Sequence, residues 1–198
     1  MRKFLHFIFS FPFFYDQMQR LLGVDRKKAL VRQHYSFVNQ DAAVLDLGGG
    51  TGLYRDLWPG NYHYICLDND PVKLKELARQ YPDDEVILGD AGKIPLRDGS
   101  VDVIFCSSFS HHITLDVLDK VLAESARVLK VSGKILFIDA VFRQESPFNR
   151  FLWKIDRGSY PHTADELSRL VRKHFLVDIT QRFSIHYDYI FFAASKQA

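Results

Sequence analysis

A glycine-rich turn directly after an apolar run carries most of the chemical information in this chain. In Val44-Leu45-Asp46-Leu47-Gly48-Gly49-Gly50-Thr51-Gly52 the missing Cβ atoms let backbone N–H groups and a helix N-terminus approach a ligand closely, the arrangement of a nucleotide-type cradle. The spacing is Gly-x-Gly-x-Gly; a dinucleotide fingerprint needs its last glycine at position 53, where Leu53 stands. Two further apolar runs end in carboxylates. Asp68 comes about twenty residues after the first glycine, the place from which a carboxylate accepts hydrogen bonds from both ribose hydroxyls; it could equally cap a helix opening at Pro71. Asp90 offers an acceptor for an exocyclic amine, and Ala91 a backbone N–H for a ring nitrogen. Together these residues would hold an adenosine. His111 and His112 follow a fourth run, and histidine is the residue type whose ordinary titration range suits a general base.

Such residues act together only if a sheet gathers them at one edge. The chain has 198 residues, 47% of them hydrophobic and 25% charged, enough for one α/β domain with a buried core and outside the compositions of disordered or disulfide-scaffold chains. Buried strands are expected at Ala43 to Leu47, Tyr64 to Leu67, Val86 to Leu88, Val101 to Cys106 and Ile135 to Ile138. Helices are expected from Tyr15 into the twenties, from Asp25 to Phe37, from Pro71 to Gln80 and from Thr114 to Leu129. In the second of these, Arg26-Lys27-Lys28 reads as a solvated face. Strands alternating with helices mean parallel pairing through right-handed crossovers, with helices on both faces: a doubly wound, Rossmann-like α/β fold. Thr163 to Glu166 reads as a capping box opening a helix to about Arg172. Phe175 to Ile179 and Ile185 to Ala193, joined by too few residues for a crossover helix, should form an antiparallel hairpin at a sheet edge.

With these elements in place, the sequence resembles the class I S-adenosylmethionine-dependent methyltransferases, in particular the compact small-molecule enzymes of ubiquinone and menaquinone biosynthesis. The resemblance rests on Val44 to Gly52, Cys66-Leu67-Asp68-Asn69-Asp70-Pro71, Gly89 to Leu96 with Val101 to Phe105, Ser110-His111-His112-Ile113, and Arg127 to Lys130 with Ser132-Gly133. It is strong from Val44 to about Ile138 and weaker to Ala194. It implies a seven-stranded sheet of order 3-2-1-4-5-7-6 with strand 7 antiparallel. It also implies that S-adenosylmethionine is the cofactor and S-adenosylhomocysteine the product. Gly48, Gly49, Gly50, Thr51 and Gly52 would then line the methionine and ribose side, Asp68 the ribose, Asn69 the adenine face, and Asp90 and Ala91 the adenine edge. Cys106 and Ser107 would lie near the methionine part, and Asp46 would orient the turn or reach the cofactor through water. Lys130-Val131-Ser132-Gly133 departs from the family's usual Lys-Pro-Gly-Gly at a turn before the fifth strand.

The acceptor is expected to be a small aromatic or lipophilic molecule, because the segments outside the common core, residues 1–40 and Ala140 to Pro161, are rich in aromatics. His111 and His112 are the candidates for proton transfer or substrate contact. Tyr15, Tyr160 and His162 are candidates for the acceptor pocket, with Asp139 beside them. The whole chain reads as one domain, residues 1–40 forming a helical lid or substrate segment on a core of 41–198. The apolar stretch Phe4 to Tyr15 is short for a membrane span and lacks a small-x-small cleavage site; a lid, or peripheral membrane contact through residues 1–15, is expected instead. A net charge of +2 argues against nucleic-acid partners. Cys66 and Cys106, each within an apolar run, suit buried thiols and a cytoplasmic location. The histidines and cysteines lack metal-ligand spacing, so no metal is expected. Other classes left open are a non-catalytic partner subunit of the same fold, a protein or RNA methyltransferase, and a nucleotide-dependent oxidoreductase.

Overall fold

The computed structural model describes residues 23–34, 41–58, 62–142, 160–185 and 187–197. The first expected helix, Tyr15 and most of the aromatic segments lie outside these residues. Helix α1 spans Val24–His34, α2 Pro71–Gln80, α3 Leu115–Val128 and α4 Ala164–His174. The strands are β1 Ala43–Leu47, β2 His63–Asp68, β3 Glu85–Leu88, β4 Val101–Ser107, β5 Leu129–Val141, β6 Phe175–Ser184 and β7 Asp188–Lys196. They form one seven-stranded sheet in the order β3-β2-β1-β4-β5-β7-β6. Pairing is parallel up to β5, and β7 runs antiparallel to both β5 and β6.

Alternation along the strands divides the core into two layers. Leu45, Leu47, Ile65, Leu67, Ile104 and Cys106 face one side, where α3 and α4 lay down Leu118, Leu122, Leu167 and Val171. Val44, Tyr64, Cys66, Val103 and Phe105 face the other, against Val31 of α1, Leu74 and Leu77 of α2, and Trp58. Both cysteines are buried free thiols, and burial pushes each thiol pKa well up, so neither is nucleophilic.

The helices begin where the sequence offers caps. Thr163 and Glu166 close a complete capping box on α4, and Thr114 Oγ1 accepts from Val117 N at the start of α3. For α2 the cap is Asp70, whose side chain takes Val72 N and Lys73 N. Asp68, the alternative cap, is thereby left to the cleft.

Three expectations are corrected. The basic triplet on α1 is not a solvated face: Lys27 is 1% exposed and Lys28 5%. Val24, Lys27, Lys28 and Val31 fall at i, i+3, i+4 and i+7, which is the core-facing stripe. Lys28 ends in an ion pair with Asp56 at 2.6 Å, and of the three residues only Arg26 points outward, to Ser184 O. Second, β6 continues to Ser184, because an edge strand half open to water needs no continuous apolar run. Ile185 falls in the turn, donating to Tyr187 O. Third, β5 already starts at Leu129, with its pairing to β4 interrupted between Val101 and Val103.

Candidate functional site

The carboxyl ends of β1, β2, β3 and β4 open into one cleft of about 730 Å3, walled by Gly48, Asp68, Asn69, Asp90, Ala91 and His112 among others. The glycine turn is tied into place by backbone bonds: Gly48 N donates to Leu67 O at 2.8 Å and Gly52 N to Gly49 O at 2.9 Å. Gly48, Gly50 and Gly52 have φ of +70°, +56° and +78°, values that side chains with a Cβ rarely adopt. At Gly49 the constraint is room, since a Cβ would stand 2.7 Å from Asp46 Cγ and 2.8 Å from Cys66 Sγ. Asp46 is buried beneath the turn, receiving the Tyr64 hydroxyl at 2.6 Å. Burial pushes its carboxyl up to about 7, against the pull of the Tyr64 hydrogen bond.

Asp68 joins the turn to the cleft. Its Oδ2 accepts from Gly50 N and its Oδ1 from Asp70 N, each at 2.9 Å, while the side chain keeps a face on the cleft wall. Across the cleft, Asp90 Oδ1 takes Gly92 N at 2.8 Å and Ala91 is buried behind it. Beside the turn is a hollow of about 30 Å3, walled by Asp46, Gly48, Gly49, Gly50, Thr51 and Ser107 with three neighbours. Ser107 Oγ is buried there with no hydrogen-bond partner among the described residues.

This arrangement fits S-adenosylmethionine. A carboxylate at the end of β2 suits a ribose diol, and Asp90 with the Ala91 backbone suits an adenine edge. The turn and the orphaned Ser107 hydroxyl can meet a polar amino-acid tail. Cys106 belongs to the core layer beneath α3 and Gly52 packs toward Leu77 of α2; neither is on the cleft wall.

The far end of the cleft is built around Asp139, at 0% exposure. Its oxygens accept from Phe109 N at 3.0 Å, Ser110 N at 2.5 Å and Ala140 N at 2.7 Å, and lie 2.5 Å from His111 Nδ1. Burial alone would raise this carboxyl; the charge and hydrogen bond of His111, with those from Ser110, outweigh it and hold the pKa at about 2. His111 is buried against Asp139 and packs against His112 with ring centroids 4.2 Å apart and the rings tilted at 43°, and of the two only His112 is on the cleft wall. His162 Nε2 lies 3.1 Å from Ser110 O and 2.9 Å from Ile113 O, so it fastens the segment carrying the histidine pair. Tyr160, 44% exposed, reaches the same segment through its backbone N–H on His111 O. Tyr15 lies outside the described residues.

Two participants were missed by sequence reasoning. Lys27 Nζ donates to Ser108 Oγ at 3.0 Å and stands 4.9 Å from the centre of the Tyr189 ring. Burial brings its pKa down to about 8, opposed by the charge of Asp139. Ser108 has a φ of +55° and lies, with Gly48, on the walls of both the cleft and the hollow. The i, i+3, i+4, i+7 stripe of α1 was the signal that could have found Lys27.

Residues 45–137 match the family described as "Methyltransferase domain". An uncharacterized methyltransferase of Geobacillus sp. (strain WCH70) is 29% identical over 178 residues, covering 85% of this chain and 82% of that protein. A phthiotriol/phenolphthiotriol dimycocerosates methyltransferase of Mycobacterium ulcerans (strain Agy99) is 33% identical over 115 residues, 58% of this chain and 40% of that protein. Among solved structures, geranyl diphosphate C-methyltransferase of Streptomyces coelicolor A3(2), in complex with Mg2+, geranyl diphosphate and S-adenosyl-L-homocysteine, superposes with a TM-score of 0.73. The match covers 87% of this chain and 78% of that one; at 13% identity the likeness is one of fold.

Proposed function

We propose that this chain is a class I S-adenosylmethionine-dependent methyltransferase, on the match of residues 45–137 to the methyltransferase-domain family and the likeness to the Geobacillus methyltransferase, and that it transfers a methyl group to a small aromatic or lipophilic acceptor bound at the His112 end of the cleft. The observation that carries this reading is the convergence of the glycine turn, Asp68 and Asp90 on one cleft whose other end is lined by apolar Phe109, Ile113 and Val117. When bound, the cofactor supplies a methyl group on a sulfonium; the protein's part is alignment and exclusion of water. Asp68 takes the ribose hydroxyls while continuing to hold Gly50 N, which couples ribose binding to the shape of the turn. Asp90 and Ala91 read the adenine edge, Asn69 covers its face, and Ser107 with Asp46 and the turn receives the amino-acid tail. His112 meets the acceptor and His111 supports it from Asp139.

A lipophilic acceptor is also supported by the relatives, since the mycobacterial protein is named for a lipid and the Streptomyces protein for an isoprenoid diphosphate. No helix among the described residues is long and apolar enough to cross a membrane; we take peripheral contact through residues 1–15 as the route by which such an acceptor would arrive. The test is calorimetric titration with S-adenosylmethionine and S-adenosylhomocysteine, beside the Asp68→Ala variant. Micromolar binding lost in the variant supports the reading. A folded, cofactor-free wild type that binds neither compound overturns it.

A further inference from the structure

Resting on the methyl-transfer reading above, we propose that Ser108 and Lys27 form a proton-accepting pair for the acceptor, with Ser108 meeting an acidic O–H in the cleft and Lys27 taking the proton behind it. The acceptor class is then a weakly acidic hydroxyl compound, a phenol or an enol. Ser108 stands on the wall shared by the cleft and the hollow beside the glycine turn. Its left-handed φ of +55° is uncommon for a residue with a Cβ, and a conformation of this kind persists only where the surroundings impose it. Here Ser108 N is held on Ile138 O at 2.9 Å and Ser108 Oγ on Lys27 Nζ at 3.0 Å. A hydroxyl accepts and donates at once, so a proton entering Ser108 from the cleft has an exit at Lys27.

Lys27 is placed to receive it. Among the described residues, the titratable groups facing it are Tyr189 of β7, whose ring it overlies, Asp139 of β5, and His111 behind Asp139. Asp139 is committed to His111 and to backbone N–H groups, which leaves Ser108 as the described hydrogen-bond partner of the amine. Burial holds the ammonium at about 8, so a neutral amine is present in useful amount near neutral pH, as a proton acceptor requires.

In the step, the acceptor O–H proton passes to Ser108 Oγ as the Ser108 proton moves to the neutral amine of Lys27. The acceptor oxygen forms its bond to the methyl carbon with the freed electron pair. The carbon–sulfur bond breaks with its pair left on sulfur, and Lys27, now an ammonium and itself buried, returns its proton through Ser108 to the cleft once the product has left. Lys27 touches no reacting atom; it is a positioning residue that acts through Ser108.

The experiment has two readouts on the full chain. Lysine side-chain NMR of the S-adenosylhomocysteine complex should show Lys27 titrating near the value of about 8 set by its burial; a Lys27 still fully charged at about pH 10, the range of a solvated lysine, overturns the proposal. Separately, S-adenosylhomocysteine formation is followed with p-cresol and with p-nitrophenol at a pH where only the latter is ionised. Lys27→Met and Lys27→Arg should each slow transfer to p-cresol by about 100-fold or more, with p-nitrophenol little affected and calorimetric cofactor affinity unchanged. Arginine keeps the charge and the donor but gives up no proton, so a fully active Lys27→Arg overturns the proposal. Equal losses on both phenols overturn it as well, as does a pH dependence that vanishes in His112→Asn but survives in Lys27→Met. A wild type that binds the cofactor and methylates neither phenol refutes this acceptor class, whereas a wild type that binds no cofactor refutes the methyl-transfer reading instead.

Discussion

Both ends of the cleft rest on carboxylates, but those carboxylates serve in opposite ways. At the β1–β3 end, Asp68 and Asp90 hold neighbouring backbone N–H groups and still present themselves to a ligand. At the β4–β5 end, Asp139 is fully buried and spends its acceptor capacity inside the protein, and Lys27 is buried beside it. The first end is set to bind; the second is set to hold a loop and a proton in place. Removing a carboxylate should therefore cost binding at one end and folding at the other.

The largest effect is expected from Asp139→Ala, which strands His111 and several backbone donors: roughly 3–5 kcal/mol of stability, measured by urea unfolding, is the usual scale for breaking a buried pair. A loss under about 1 kcal/mol, the range of an exposed pair, would abolish the contrast. Next is a pH effect. The folded-state pKa of Lys27 is below its value of 10.5 in the unfolded chain, so the unfolded chain binds more protons between the two and stability rises with pH there. Relative to Lys27→Met, the wild type should gain about 3 kcal/mol from about pH 8 to pH 10.5 and keep a constant offset below that window. Asp68→Ala should cost about 1–3 kcal/mol of stability, because it leaves the buried Gly50 N and the half-buried Asp70 N without their acceptor, while lowering cofactor affinity by about 100-fold or more, equivalent to about 3 kcal/mol. Thr163→Ala removes a helix cap remote from the cleft wall, and should cost about 1 kcal/mol with cofactor affinity unchanged.

The same contrast explains what could be read from the sequence. The binding end is written locally: strand, glycine turn, then strands ending in Asp68 and Asp90, each recognisable within a few residues. The buried parallel strands appeared as short apolar runs and the terminal hairpin as two runs joined by too few residues for a crossover helix, whereas the strand order came from the resemblance to the methyltransferases. The other end joins residues from α1, the end of β4, β5 and β7, which no short window contains. Lys27 was mistaken for surface because a lysine reads as solvated, although its place on the helical stripe said otherwise. Edge strand β6 was read too short for a related reason: Thr180, Gln181 and Arg182 face water beside a paired backbone.

The ring of donors around Asp139 also has a consequence in time. Phe109 and Ser110 stand in a connection between β4 and α3, where amides ordinarily exchange with solvent quickly, yet their N–H groups end on a carboxylate with no exposed surface. Their hydrogen exchange should be as slow as that of the central strands, and collective with it, because the carboxylate is released only when the sheet opens. The segment bearing the histidine pair would then behave on the timescale of hours as part of the sheet, a fixed wall against which a ligand comes to rest.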